Sequence, residues 1–431
     1  VRRLNAADRF MLVIDRALRG LGGPGFETIT FVWLDGRADR DRLRRGLAEL
    51  NRVSPVVTAR LRPNVPDWEL RRGAEITFRE TTLSTADRQA VLDHAAGLLA
   101  GKTDPAQVDP MRFHLLHRPG GRDVLLAQYS HVLLDHARAV GVLRRLDALA
   151  DGRERPSEPG PWHDPVWAHL RKFPRALRHR SGPAAADLRQ HMRGGSIKLG
   201  RPAPGDAAPT RYAILARQLT AEQTRAAEAR VRVVVGVPNP SMAILAALFR
   251  GLDRLTAGRP DRGNYYQAGI ALDLGLKNRP ADALENLSTL VPLLVPGTVP
   301  TDRDGLLRVL ARQLLDKLSA RTDVGILEMV TQFGRRRDRA GWVMDLLMRY
   351  CLCFWYGYLG AIDVGPTLLG APVSEVFSAG PTWPAVGVTM LASQSAGRLN
   401  LQLTYIPRSV TDALAADYLD GVVADLMAWS G

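Results

Sequence analysis

The sequence predicts an α/β protein built as two mixed-sheet lobes. The 431 residues exceed the ~100–200 of an ordinary domain, so two units of similar size are expected. β-branched and aromatic runs alternate with stretches of helical period, once before residue 165 and loosely again after residue 211. Neither pass carries a P-loop, G-x-S-x-G or H-E-x-x-H, so a nucleotide-binding parallel sheet is not implied.

ADRFMLVIDRAL reads as a helix with Phe10, Leu12, Val13 and Leu18 inward. TITFVWLDG is a β-branched and aromatic run ending in a turn, hence a strand. DRDRLRRGLAELNRVSP is a helix capped by Asp39 or Asp41, with Leu43, Leu47 and Leu50 as its apolar stripe. VVTARLRP and AEITFRET are strand-like. STADRQAVLDHAAGLLAGK is a helix with a Ser or Thr cap and a closing glycine. MRFHLLHRPGGRDVLLAQYS is a hairpin around Pro119-Gly120-Gly121, and the helix ARAVGVLRRLDALADG follows.

Pro- and Gly-rich loops frame the basic amphipathic stretch VWAHLRKFPRALRHR between about residues 151 and 210. That stretch is either a solvated surface helix or a contact for an anionic membrane or carrier protein. The expected division is an N-terminal lobe over 1–165, a crossover over 166–210 and a C-terminal lobe over 211–431. In the second lobe TRYAILARQL is a strand, TAEQTRAAEARVRV a helix and PSMAILAALFRGLDRLTAG a buried helix. YYQAGIALDL and LSTLVPLLVP are strands, and TDRDGLLRVLARQLLDKLSAR is a long helix. PAVGVTMLASQSAGRLNLQLTYI is a hairpin turning at Ala396-Gly397, before the capped helix TDALAADYLDGVVADLMAWS.

The stretch QYSHVLLDHARAV carries the chemistry. His131 ends an apolar run, where a rigid strand would present it, and Asp135 follows four residues later. An imidazole accepts a proton near neutral pH, as a general base must. The other reading is a core histidine satisfied by a backbone hydrogen bond, and the H-x-x-x-D spacing alone fits that better.

A longer pattern changes this balance. SHVLLDH, Ser130 to His136, resembles the H-H-x-x-x-D-G motif of a family of acyltransferases. That family includes nonribosomal-peptide condensation domains, wax ester synthase/diacylglycerol acyltransferases, polyketide-associated acyltransferases and chloramphenicol acetyltransferase. RLNAADRFML resembles its opening helix, LDGRADRDRLRRGLAELNRVSPVVTARL its following segment, and GVPNPSMAILAALFRGL its N-D helix. The stretch from LLGAPVSEVF to LDGVVADL resembles its C-terminal strand pair and helix. The resemblance implies two chloramphenicol-acetyltransferase-like lobes in a V-shaped pseudo-dimer, with an interlobe tunnel. It implies His131 as the base and Asp135 as a structural brace. The donor would be an acyl thioester on coenzyme A or a carrier-protein phosphopantetheine, and the acceptor an alcohol or amine. No metal and no tightly bound cofactor is expected.

The chain departs from that pattern in several places. Ser130 replaces the first histidine, at a position expected to point away from substrate. His136 replaces the glycine and could narrow the tunnel, bind a substrate carboxylate, or start the helix facing solvent; the steric reading ranks first. The arginine that pairs the motif aspartate in relatives is displaced: Gly275 stands there, with Lys277 and Arg279 nearby. Lys277, Arg279 and His136 are therefore the candidate partners of Asp135. Asn239 matches the family asparagine, and Pro240 replaces the aspartate after it. Phe354, Trp355, Tyr356 and Tyr358, around Gly357, line a pocket or pack a core; Ser393 and Gln394 are placed facing the tunnel.

The net charge of +14 suits an acidic carrier protein or a coenzyme A phosphate. The arginines are scattered and accompany no nucleic-acid-binding signature, so no nucleic acid is expected. Cys351 and Cys353, spaced C-x-C, make neither a disulfide framework nor a zinc site. No apolar run approaches the ~20 residues of a membrane span, and Asp8 and Asp15 argue against a signal peptide, so a cytoplasmic protein is expected. The resemblance, in which one chain supplies both lobes, implies a monomer. The function implied is acyl transfer. The alternatives are a degenerate carrier-docking module, or the same fold performing cyclisation or other chemistry on a tethered intermediate.

Overall fold

The structure is a computed structural model, and it describes residues 2–62, 67–71, 73–153, 189, 195–200, 211–236, 240–260, 262–274, 284–297, 302–334 and 352–428. The basic stretch at 166–180, Asn239, Gly275, Lys277, Arg279 and Cys351 lie outside these residues.

In the first part of the chain the strands are β1 (Arg2–Arg3), β2 (Glu27–Leu34), β3 (Arg60–Leu61), β4 (Asp67–Glu69), β5 (Thr77–Thr82), β6 (Met111–Arg118) and β7 (Arg122–Ser130). The helices between and after them are α1 (Ala6–Gly20), α2 (Arg40–Val53), α3 (Arg88–Ala100) and α4 (His136–Ala150). In the second part come β8 (Ala213–Gln218), α5 (Ala221–Val235), α6 (Pro240–Thr256), β9 (Tyr265–Asp273), β10 (Ser288–Pro296), α7 (Arg303–Ser319) and α8 (Thr322–Gly334). The chain closes with β11 (Phe354–Ala361), β12 (Thr367–Leu368), β13 (Ala371–Ala379), β14 (Val388–Ser395), β15 (Arg398–Tyr405) and α9 (Asp412–Met427).

Most elements have the causes anticipated. Asp39 caps α2 through the Arg42 N–H, and Leu43, Leu47 and Leu50 are buried. Gly120, Ala396 and Gly397 take positive φ, which lets both hairpins turn tightly with the twist of their strands. α6 is apolar on nearly every side and is buried accordingly. Two expectations need correction. Residues 55–58 form a 3-10 turn rather than a strand, because Pro55 opens a helical turn and donates to no ladder. The cap of α3 is Asp87, whose carboxylate accepts the Gln89 N–H; no Ser or Thr caps it.

Two six-stranded mixed sheets organise the molecule, in the orders β12-β13-β2-β7-β6-β5 and β10-β9-β11-β14-β15-β8. A small sheet, β1-β4-β3, lies apart from both. One exchange falls outside a division by contiguous sequence. Residues 367–379, late in the chain, complete the first sheet, where β13 pairs antiparallel with β2. The outer edge of β13 would leave backbone groups bare. Side chains of the second sheet cover it: Ser395 Oγ accepts the Val376 N–H at 3.2 Å, and Asn400 donates to the Val376 carbonyl at 3.4 Å. Arg88 on α3 clamps the same strand, pairing with Glu375 and lying over Trp33 and Phe377. Among the described residues no single helix is long and apolar enough to cross a membrane.

Candidate active site

His131 sits in the turn that ends β7. Ser130 builds that turn: its carbonyl accepts the Leu133 N–H, and its Oγ accepts the Val132 N–H at 3.3 Å. Its side chain is buried and turned to its own loop. The His131 N–H donates to the Phe26 carbonyl at 2.9 Å, and the Phe26 ring stacks on the imidazole at 5.1 Å. Phe26 is fixed in turn by Asp15, which accepts its N–H at 2.8 Å. Trp355 of β11 meets the Phe26 ring edge-on at 6.1 Å, so the second sheet closes over the histidine.

Asn286, just before β10, supplies the remaining contacts. Its Nδ2 donates to the His131 carbonyl at 2.5 Å and lies 3.1 Å from His131 Nδ1. Its Oδ1 accepts the Ser288 N–H at 2.8 Å, which fixes the amide with Nδ2 toward the histidine. The ring also bonds the residue's own carbonyl. Among the described residues nothing holds Nε2, and the side chain is partly exposed. Removal from water lowers the imidazole to about 4, and the bond to its own carbonyl opposes this. His131 is therefore neutral across the physiological range.

Asp135 caps α4, accepting the Arg138 N–H on Oδ1 at 3.1 Å. Its Oδ2 accepts the Leu287 N–H at 2.9 Å, a bond spanning 152 residues of sequence. Burial raises its pKa, while the Arg138 guanidinium, 3.8 Å away, and the two N–H donors oppose the rise. Of the expected partners, Lys277 and Arg279 lie outside the described residues, and His136 turns elsewhere; among the described residues, backbone N–H groups and Arg138 meet the Asp135 carboxylate.

His136 is the first residue of α4, and its ring is buried rather than facing solvent. Nδ1 lies 3.2 Å from Ser378 Oγ on β13 and 3.4 Å from Tyr129 Oη on β7. Its Nε2 is buried with no partner among the described residues. Burial, and secondarily the nearby His131, lowers it to about 3, so it is uncharged. It fills space that glycine would leave open and presents no charge to a carboxylate.

The remaining predicted residues separate by strand face. Side chains alternate along a strand, and directly paired residues share a face. β11 and β14 pair Trp355 with Thr389, Tyr356 with Met390, Gly357 with Leu391 and Tyr358 with Ala392. Gly357 thus shares the Trp355 face, where a Cβ would meet the Leu391 side chain at 3.0 Å. Ser393 is on that face too, fully buried, its Oγ without a partner among the described residues. Tyr356, Tyr358 and Gln394 lie on the opposite, helix-covered face. Tyr356 donates to the Ser241 carbonyl of α6 at 2.9 Å, and Gln394 donates to Glu228 of α5 at 2.6 Å. Burial, with Glu228 nearby, raises Tyr358 to about 12.

Asn286, Phe26 and Arg138 were not anticipated. A polar residue at the mouth of an apolar run was the available signal for Asn286, the same signal that marks His131.

No protein-family model matches the chain, and no curated protein matches it by sequence. Solved structures do match over its length. The first condensation domain of the CDA synthetase superposes with a TM-score of 0.74 at 16% identity, covering 100% of this chain and 96% of that one. This chain has the condensation-domain fold. The trichothecene 15-O-acetyltransferase from Fusarium sporotrichioides gives 0.73 at 13% identity, covering 99% and 95%. The EpoB cyclization-docking bidomain from Sorangium cellulosum, part of a nonribosomal peptide synthetase, gives 0.72 at 16% identity, covering 100% and 84%. The condensation fold thus contains the two chloramphenicol-acetyltransferase-like lobes anticipated. His131 lies where they meet, held by Phe26 from one side and by Asn286 from the other.

Proposed function

We propose that the protein transfers an acyl group from a thioester to an alcohol or amine, with His131 as the general base. The observation that carries this reading is the state of the imidazole: neutral, with Nε2 held by nothing among the described residues. As a base the ring carries its proton on Nδ1 and offers the Nε2 lone pair to an acceptor O–H or N–H; Asn286 Nδ2 then keeps to the His131 carbonyl alone, because two N–H donors do not bond each other. The acceptor attacks the thioester carbonyl as Nε2 takes its proton. The tetrahedral intermediate then expels the thiolate, which recovers that proton. No covalent acyl-enzyme is required. Asp135 acts by holding the turn and the neighbouring lobe.

The donor is coenzyme A or the phosphopantetheine of an acyl or peptidyl carrier protein, and the +14 charge suits either acidic partner. A cytoplasmic monomer without metal or tightly bound cofactor is part of the same reading. A second reading, a carrier-docking module or a catalyst of other chemistry on a tethered intermediate, is favoured by the buried His136 at the motif glycine. The test is intact-mass and thiol-release analysis with acyl-coenzyme A and acyl-carrier donors and mixed alcohol and amine acceptors. Transfer that disappears in His131→Ala supports the base. Transfer that survives in it removes His131 from the mechanism. Tight carrier binding without transfer supports the docking module.

A further inference from the structure

The base is held by residues far from it in sequence, and those residues are held by the start of the first helix. We propose that residues 285–288 form a clasp through which Asn5 and Asp8 position His131. This inference rests on His131 being the base.

The argument begins with the α1 cap. Asn5 Oδ1 accepts the Asp8 N–H at 2.8 Å, and Asp8 Oδ2 accepts the Asn5 N–H at 2.9 Å. This reciprocal pair completes a capping box and satisfies two of the helix's free N–H groups. It uses one side-chain polar atom from each residue. The two left over, Asn5 Nδ2 and Asp8 Oδ1, both turn to Asn286. Asn5 Nδ2 donates to the Asn286 carbonyl at 3.1 Å, and Asp8 Oδ1 accepts the Asn286 N–H at 3.2 Å. Both main-chain polar groups of Asn286 are thus fastened to α1.

Its side chain is equally constrained. Ser288 fixes the amide oxygen, and Nδ2 docks on the His131 carbonyl. The next residue, Leu287, donates to Asp135. One short segment therefore touches both conspicuous residues of the motif and is anchored at its back by the helix cap. Asn5, Asp8 and Asn286 are all fully buried, so no bulk water can replace a broken bond there. Around Asp8 the charged groups are Arg2 on β1 and Glu285 in the clasp; removal from water raises Asp8 to about 7, Arg2 opposes and Glu285 adds. A cap that served α1 alone would leave those two atoms to solvent. Here a displacement of α1 moves Asn286, and with it the amide nitrogen that lies against both the His131 carbonyl and Nδ1.

The test reads the histidine directly, without a substrate. Histidine-ring carbon and nitrogen resonances are recorded, with His131 assigned by its loss in His131→Gln. In the wild type His131 is expected neutral at about pH 6 and in one tautomer, the Nδ1-protonated one where it serves as the base. Asn5→Ser keeps a capping oxygen but loses the reach to Asn286, and Asp8→Asn loses the second acceptor. Both are expected to shift the His131 resonances or mix its tautomers, leaving His114 unmoved. Transfer should then fall about 10- to 100-fold in kcat, with KM within about two-fold. Should both variants fail to fold, Asn286→Ser keeps the main-chain bonds and removes only the amide arm. An unchanged His131 ring in any folded variant overturns the clasp. A displaced ring with unchanged transfer keeps the clasp and overturns the base assignment instead.

Discussion

Replacing Asp135 separates its two tasks. In Asp135→Ala, α4 loses its N-cap, worth about 1 kcal/mol. The buried Leu287 N–H also loses its acceptor, at a cost of about 1–3 kcal/mol. Removing a carboxylate that burial already penalises returns part of this, so the net loss is about 2–3 kcal/mol. Asp135→Asn behaves differently. Asparagine caps as well as aspartate, but its single oxygen cannot serve both the Arg138 and the Leu287 N–H groups. It should recover the cap alone, about 1 kcal/mol relative to alanine. Urea unfolding at neutral pH, followed by far-ultraviolet circular dichroism and tryptophan fluorescence, gives both differences. An alanine variant within about 0.5 kcal/mol of wild type, or an asparagine variant no better than alanine, would refute the two-task account.

Three further outcomes are expected. Because burial holds His131 near 4, its base form persists well below the ordinary 6.5, and the transfer rate should stay level from about pH 8 to 5.5 and fall only below about 4.5; a limb centred near 6.5 would contradict this. His114 on β6 is likewise lowered to about 4 by burial, so between pH 6.5 and 4 the unfolded chain binds a proton that the fold refuses. Wild type should then lose stability against His114→Gln on acidification through that window, by up to about 1.4 kcal/mol per pH unit, measured as urea midpoints at pH 7 and 5. His136→Gly removes a buried ring with an unpartnered nitrogen and should admit bulkier acyl or acceptor groups in a competition assay, whereas an unaltered substrate range would show that the ring only packs.

Local pattern carried much of the fold. Asp39, the two hairpin turns and the apolar stripe of α2 are recognisable because cap, turn and period are short-range properties. The site was legible in one half only. His131 and Asp135 lie four residues apart and announce themselves together, whereas Asn286 reaches His131 across 155 residues, a distance no local periodicity encodes. The division of the aromatic stretch shows the same limit. Alternation alone puts Trp355 and Tyr356 on opposite faces, but only the pairing of β11 with β14 and the contact with Ser241 decide which face meets helices. Arg138 was masked by the many arginines of this chain, whose roles depend on what folds against them.

The late arrival of β13 matters during synthesis. β2 gains its outer partner only when residue 379 has been made, long after β7 ends at Ser130. At about 5–20 residues per second, a ribosome takes roughly 12–50 s to cover that stretch. During that interval β2 is an unprotected edge, open to pairing with another nascent chain. An N-terminal fragment ending before β13 would carry the same open edge permanently. The two lobes are thus one folding unit, joined by a strand that the first must borrow from the second.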